Sequence, residues 1–267
     1  MKPGIATIAL RKYDILHAID IAAEAGFLGI EVWGKPPHIP EPVDQDHLLA
    51  IRDRIRGYEL EVSMLGSYVN PSLVDFEARA DRAIDTAKVL GTRIIRVWAG
   101  DREPHEANEE NWTDIIRAMR EFALRAEYHG LTLAMEMHSG TLCATPEGAL
   151  RVIEQSGSPN LKLNFQVVNF ANADIENLVS MVGRHSVNVH AQNFQPSGVE
   201  EGKMERSLIQ EGVVDYERVL SLLSKQGFDG FVEVEFVKDE GLSESAMMDA
   251  LKKDARYLRM LTARHAS

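Results

Sequence analysis

Residues 131–141 read LTLAMEMHSGT. Leu131, Leu133, Met135 and Met137 alternate with Thr132, Ala134, Glu136 and His138, which is the period of a strand with one apolar face. The other face ends on a carboxylate and an imidazole, groups that a core does not accept without partners. The same alternation recurs downstream. Leu161, Leu163 and Phe165 oppose Lys162, Asn164 and Gln166; Val187, Val189 and Ala191 oppose Asn188, His190 and Gln192; Val232, Val234 and Phe236 oppose Glu233 and Glu235. Upstream, Glu31 and Trp33 share one face of a strand, and Arg96 and Trp98 share one face of another.

Working outward, eight strand-like runs cover residues 4–10, 28–34, 60–67, 92–100, 131–138, 160–166, 186–194 and 230–236. Amphipathic helical stretches lie between them, four of them stopped by Gly26, Gly91, Gly130 and Gly227, the usual residue just past a last helical turn. Strands alternating with helices make a parallel sheet, and eight is the number that closes it into a (β/α)8 TIM barrel. A doubly wound open sheet is the alternative, but no GxGxxG follows the first strand. Nothing divides the chain, so one domain over 1–267 is expected. The longest irregular stretch, about 193–213, falls before the last strand, and long loops of this kind are often functional.

The chain has 267 residues with a formal net charge of -12. An acidic protein is a poor tracker of phosphate backbones, so nucleic acid is not an expected partner. No apolar run has the length of a membrane span. The single cysteine, Cys143, and the absence of a secretory signal pattern at the N-terminus point to the cytoplasm.

In a closed barrel the polar face of each strand points inward, and its carboxyl end is where active sites sit. Glu136, Gln166, His190 and Glu235 then converge on one point. Buried charges gathered there would cost several kcal/mol each without compensation. A divalent cation removes that cost, and two carboxylates, an imidazole and an amide oxygen suit a hard or borderline ion.

On these residues the chain resembles the xylose isomerase-like superfamily of barrels, which holds sugar isomerases and epimerases beside apurinic endonucleases. The resemblance spans roughly 4–237. It is carried by Glu136-x-His138, by Val189-His190-x-x-Asn193, by Gly212-x-Val214-Asp215, and by Gly227-Phe228-x-Gly230 followed by Glu235. It implies one metal ion, Mn2+, Mg2+, Co2+ or Zn2+, held by Glu136, His190, Glu235 and the residue at the end of the sixth strand. There this chain departs from its relatives: Gln166 stands where an Asp is usual, Asn169 where a His often follows, and Asn193 where the seventh strand often has Asp. A shell of two carboxylates, neutral His and Gln leaves a divalent ion near neutrality, so binding weakens while Lewis acidity remains high.

The resemblance further implies an enzyme that isomerises or epimerises a small keto sugar or sugar acid through an enediolate, with Glu136 and Glu235 handling the proton. Trp33, Trp98, His138, Glu31 and Arg206 are the expected substrate contacts. Three alternatives stand beside it: a lyase using the same proton abstraction for β-elimination, an endonuclease disfavoured by too few metal ligands, and a sugar-binding protein without metal. Dimers or tetramers of the chain are the assembly that relatives suggest.

Overall fold

The computed structural model describes residues 1–168, 170, 173–198, 200 and 202–265; Asn169 lies outside them. Its strands are β1 (Lys2–Ala6), β2 (Gly29–Trp33), β3 (Glu61–Gly66), β4 (Ile94–Val97), β5 (Thr132–Glu136), β6 (Leu161–Phe165), β7 (Ser186–Ala191), β8 (Asn193–Pro196), β9 (Met204–Ser207) and β10 (Phe231–Val234). Helices α1 (Ile15–Ala25), α2 (Gln45–Gly57), α3 (Phe76–Leu90), α4 (Glu109–Tyr128), α5 (Pro146–Ser156), α6 (Ile175–Val182), α7 (Tyr216–Lys225) and α8 (Glu244–Ala263) follow the eight barrel strands in turn. The barrel closes in the order β1-β10-β7-β6-β5-β4-β3-β2, with every pair parallel.

The parity read from the sequence is the parity of the fold. Leu133, Met135, Leu161, Leu163, Phe165, Val189, Val232 and Val234 are all wholly buried between strands and helices. Helix ends obey local chemistry. Asn108 and Asn111 form a reciprocal capping box at the start of α4, and the Thr145 side chain accepts from Gly148 N ahead of Pro146 in α5. Removing such a cap costs about 1 kcal/mol. Gly26, Gly91, Gly130 and Gly227 all take positive φ, the backbone state that lets a helix stop and the chain turn back.

Two segments differ from the sequence reading. The first strand ends at Ala6, and residues Thr7–Leu10 wind into a 3-10 turn. The stretch expected to be irregular after the seventh strand carries the antiparallel hairpin β8–β9, in which Phe194 faces Arg206 and Asn193 faces Ser207. Asn193 explains why the hairpin sits where it does. Its side chain donates to Ile209 O and Val214 O and accepts from Phe194 N and Val214 N, so one buried amide ties both ends of the loop together.

Candidate active site

Glu136 is the last residue of β5, Glu235 follows β10, Gln166 follows β6 and His190 is the penultimate residue of β7. All four are 5% exposed or less. Parallel strands in register bring these ends level, and one ligand atom each from Glu136, His190 and Glu235 lies within 4.8 Å of the others. His190 Nδ1 stands 3.2 Å from Glu136 Oε1 and 3.6 Å from Glu235 Oε1. Gln166 Nε2 donates to Glu235 Oε2 at 3.3 Å.

Three buried atoms here have no hydrogen-bond partner among the described residues: Glu136 Oε1, His190 Nδ1 and Gln166 Oε1. Each is an atom that can donate a lone pair to a cation. Orphaned acceptors at one point are costly unless something occupies the space between them. The donor set therefore fits a divalent ion, which Glu136, His190, Glu235 and Gln166 could hold.

Behind these residues lies a ring of charge. Arg96, on β4, bonds Glu136 Oε2 through Nη1 and places Nε 3.1 Å from Glu31 Oε1. Glu31, on β2, reaches His190 Nε2 with its other oxygen at 2.5 Å. Gly66 makes room for the ring, because a methyl at that position would collide with the Glu31 carboxylate. Deeper still, Glu233 accepts from Ser63 Oγ at 2.5 Å and from Asn188 Nδ2 at 2.7 Å. A hydroxyl and an amide, not a basic side chain, meet its two oxygens.

The electrostatics follow. Burial pushes the Glu136 carboxyl up, but Arg96 and His190 outweigh it and bring it down to about 2. Burial pushes Glu235 to about 7, with Glu136 and Glu31 adding to it and His190 and Arg96 opposing. Burial, then Glu31, pushes Glu233 to about 7. Burial disfavours charge on His190, yet Glu31, Glu235 and Glu136 together hold it well above its ordinary value. Burial likewise opposes the Arg96 charge, and Glu136 and Glu31 overcome it.

An aromatic wall rises above the carboxylates. His138 stacks on Trp98 with centroids 4.7 Å apart, and Trp98 lies 5.8 Å from Tyr68. Trp33 Nε1 donates to the Tyr68 hydroxyl at 2.8 Å. His138 Nδ1 meets Ser139 O at 2.6 Å, which leaves Nε2 as an acceptor. Arg206, in β9, lies 4.0 Å over the ring of Phe236, the residue that follows Glu235 in the chain, and pairs with Glu240 at 3.4 Å. Among the expected substrate contacts, the structure gathers Trp33, Trp98 and His138 into this wall and puts Arg206 at the rim. Glu31 lies beneath, 2% exposed and bonded within the charged ring.

Sequence reasoning missed Tyr68. It sits two residues past β3, beyond the alternating run, and its only signal was an aromatic at a barrel strand's carboxyl end. Cys143 is wholly buried beside Met135, and burial pushes its thiol to about 12, so it is packing rather than nucleophile.

The family model of xylose isomerase-like TIM barrels matches residues 19–261. Among relatives, the 3-dehydroshikimate dehydratase of Bacillus anthracis is 24% identical over 243 residues, covering 82% of this chain and 86% of that protein. L-ribulose-5-phosphate 3-epimerase of Escherichia coli strain K12 is 30% identical over 155 residues, 56% of this chain and 51% of that enzyme. Among solved structures, the IOLI protein with a binding zinc atom has a TM-score of 0.80 at 17% identity, covering 100% of both chains. No helix among the described residues is long and apolar enough to cross a membrane.

Proposed function

This chain belongs to the xylose isomerase-like TIM barrel family, and on that premise we propose that it isomerises or epimerises a small keto sugar or sugar acid through an enediolate. Relatives named for an activity are enzymes, a dehydratase and epimerases, and the expectation of an enzyme stands with them. The observation that carries the reading is the meeting of Glu136, His190 and Glu235 at the carboxyl end of the barrel, with orphaned acceptors aimed between them.

A divalent ion held by Glu136, His190, Glu235 and Gln166 would supply positive charge where an enediolate oxygen develops negative charge. The other tasks fall to the chain. Trp98, His138 and Trp33 present apolar faces and polar edges that stack against a carbohydrate and hold it in register. Arg206 offers a guanidinium at the rim to a substrate carboxylate or hydroxyl. Glu136 and Glu235 are the carboxylates placed to remove a proton from the carbon next to the carbonyl and to return one. Burial excludes water that would otherwise screen the charges.

Incubation in D2O with Mn2+ and a panel of ketoses and keto acids tests this. Deuterium should enter carbon next to the carbonyl of one class, and a chelator should abolish the exchange. Glu235→Gln should lower the rate by about 10²–10⁴, the share that a positioned acid or base supplies. Failure of every member of the panel to exchange sinks the proposal.

A second reading is supported by the breadth of the match to the dehydratase, which spans most of both chains. The same proton abstraction followed by loss of a β-hydroxyl makes a lyase. Release of water with the rise of a conjugated carbonyl absorbance distinguishes that outcome from isomerisation.

A further inference from the structure

A small cavity lies beside the aromatic wall, between the loop that follows β2 and helix α3. Its volume is about 70 Å³, and Lys35, Glu41, Tyr68, Arg79 and Arg82 are among the residues that line it. Three of these five are cations, and their partners do not balance them. Arg79 Nε holds Asp75 at 2.7 Å and its Nη1 stands 3.8 Å from Glu41, while Arg82 reaches Asp75 only at 4.0 Å. Lys35 has no ion pair among the described residues; its ammonium lies over the Tyr68 ring, 3.7 Å from the centre. Three positive charges thus share two carboxylates, in a chain whose 41 acids outnumber its 29 Lys and Arg. In so acidic a protein, a concave surface with a surplus of cations is suited to an anion from outside.

Lys35 feels that surplus. Burial lowers its pKa first, and the charges of Arg96 and Arg79 lower it further against Glu41. Its backbone is fixed: Gly34 N donates to Gly66 O at 3.0 Å, and Lys35 O accepts from His38 N at 2.9 Å and Ile39 N at 3.0 Å. The ammonium is not. A cation over an aromatic face is held more weakly than one in a charge-assisted hydrogen bond, so it can turn from the ring to an anion. Tyr68 joins the cavity to the candidate active site. The Arg96 guanidinium lies 5.0 Å from the centre of the same ring and bonds Glu136, and the Tyr68 hydroxyl accepts from Trp33 Nε1. A molecule with one end at Glu136, His190 and Glu235 therefore reaches the cavity by passing one aromatic ring. The cavity has room for a carboxylate or a phosphate group, but not for a sugar ring.

We propose that this cavity is an anion site with Lys35 as its main contact, and that it takes a phosphate ester or carboxylate at the end of the substrate far from the carbonyl. The second half rests on the reading given under Proposed function and narrows it, from any small keto sugar or sugar acid to one whose far end is negatively charged. Lys35 supplies the ammonium, and Arg79 and Arg82 supply a positive field that Asp75 and Glu41 only partly cancel. Tyr68 and the wall hold the uncharged carbons between the two ends. No bond is made or broken at the cavity. Its contribution is affinity and register, so it acts on KM more than on kcat.

Two measurements test this. In the first, inorganic phosphate is titrated calorimetrically into the metal-free protein at low salt. It should bind, Lys35→Met should weaken binding by about tenfold or more, the scale of one charge-assisted hydrogen bond, and Lys35→Arg should retain it. No phosphate binding, or binding that Lys35→Met leaves unchanged, overturns the anion site whatever the reaction is. In the second, exchange in D2O with Mn2+ compares a ketose with its terminal phosphate ester and its terminal carboxylate. One charged member should have a KM lower than the neutral ketose by about tenfold or more, and which one it is identifies the anion. Lys35→Met should erase that advantage, with kcat and the KM of the neutral ketose little changed. A neutral ketose used as well as both charged forms, or a Lys35→Met variant in which all three KM values rise alike, overturns the substrate assignment and leaves the proposed function standing. Phosphate binding that depends on Lys35, with no exchange in any ketose, upholds the anion site and overturns the proposed function.

Discussion

Glu31 Oε2 lies 2.5 Å from His190 Nε2, and the imidazole's other nitrogen faces Glu136 Oε1 at 3.2 Å. A carboxylate on Nε2 holds a proton there, and a neutral ring then turns the Nδ1 lone pair toward the site. Glu31 thus orients the imidazole whose other nitrogen faces the candidate site.

Glu31→Gln should weaken Mn2+ binding by about 10–100-fold, the usual consequence of losing a carboxylate behind a ligating His. Titration calorimetry measures it. An unchanged dissociation constant would show that the ring of His190 is oriented by something else.

Metal uptake should release protons. His190 is held well above its ordinary pKa by Glu31, Glu235 and Glu136, and burial pushes Glu235 to about 7, so at neutral pH His190 carries a proton and Glu235 about half of one, which an ion must displace. Calorimetry in buffers of different ionisation enthalpy should report the release of about one proton or more at pH 7. Affinity should rise with pH from 6 to 8; a flat profile would contradict the charge arrangement described.

Arg96→Met should destabilise the fold by about 3–5 kcal/mol, because Glu31 and Glu136 would remain buried without their cation. Denaturant unfolding gives the value. Adding Glu136→Gln to Arg96→Met should recover part of the loss, and strict additivity of the two changes would argue against a direct pair.

Asp254 lies in α8, 2% exposed, and accepts a hydrogen bond from Ile209 N at 2.8 Å. Burial pushes its carboxyl to about 7 from an ordinary 3.8. Between those values the folded state binds a proton that the unfolded chain releases, so stability falls as pH rises from about 4 to about 7. Asp254→Asn keeps an acceptor oxygen and removes the charge. It should flatten that slope and stabilise the protein at pH 8 by on the order of a few kcal/mol, read from urea melts at several pH values. A variant that follows the natural pH slope would show that Asp254 ionises as readily in the fold as outside it.

Trp98 stacks on His138 and has a buried indole nitrogen without a partner among the described residues. Trp98→Phe keeps a ring and loses the donor, so KM should rise several-fold, on the scale of one hydrogen bond worth about 1 kcal/mol, with kcat little changed. A fall in kcat at constant KM would place Trp98 in the chemical step instead of in binding.

Barrel parity was legible because it is local. Alternation within 131–138 alone assigns Glu136 to the inside, and the same rule assigns Gln166, His190 and Glu235; strands of one barrel then bring their ends level. Helix stops at glycine and caps at Asn108 or Thr145 are equally local, since they depend on the backbone state of one or two residues. Partnership was not legible. Glu31 and His190 are 159 positions apart, and Arg96 and Glu136 are 40 apart. Parity puts Arg96 and Lys162 on the inner face with Glu136, but no local pattern says that Arg96 would be the one to meet it, that Glu235 would stay free of any Arg or Lys, or that Tyr68, past the end of its strand, would join the aromatic wall. The sequence by itself determined which face each side chain occupies, because that follows from the two-residue period of a strand. Only the tertiary structure decided which charges meet, because barrel closure sets distances between strands that no local pattern encodes.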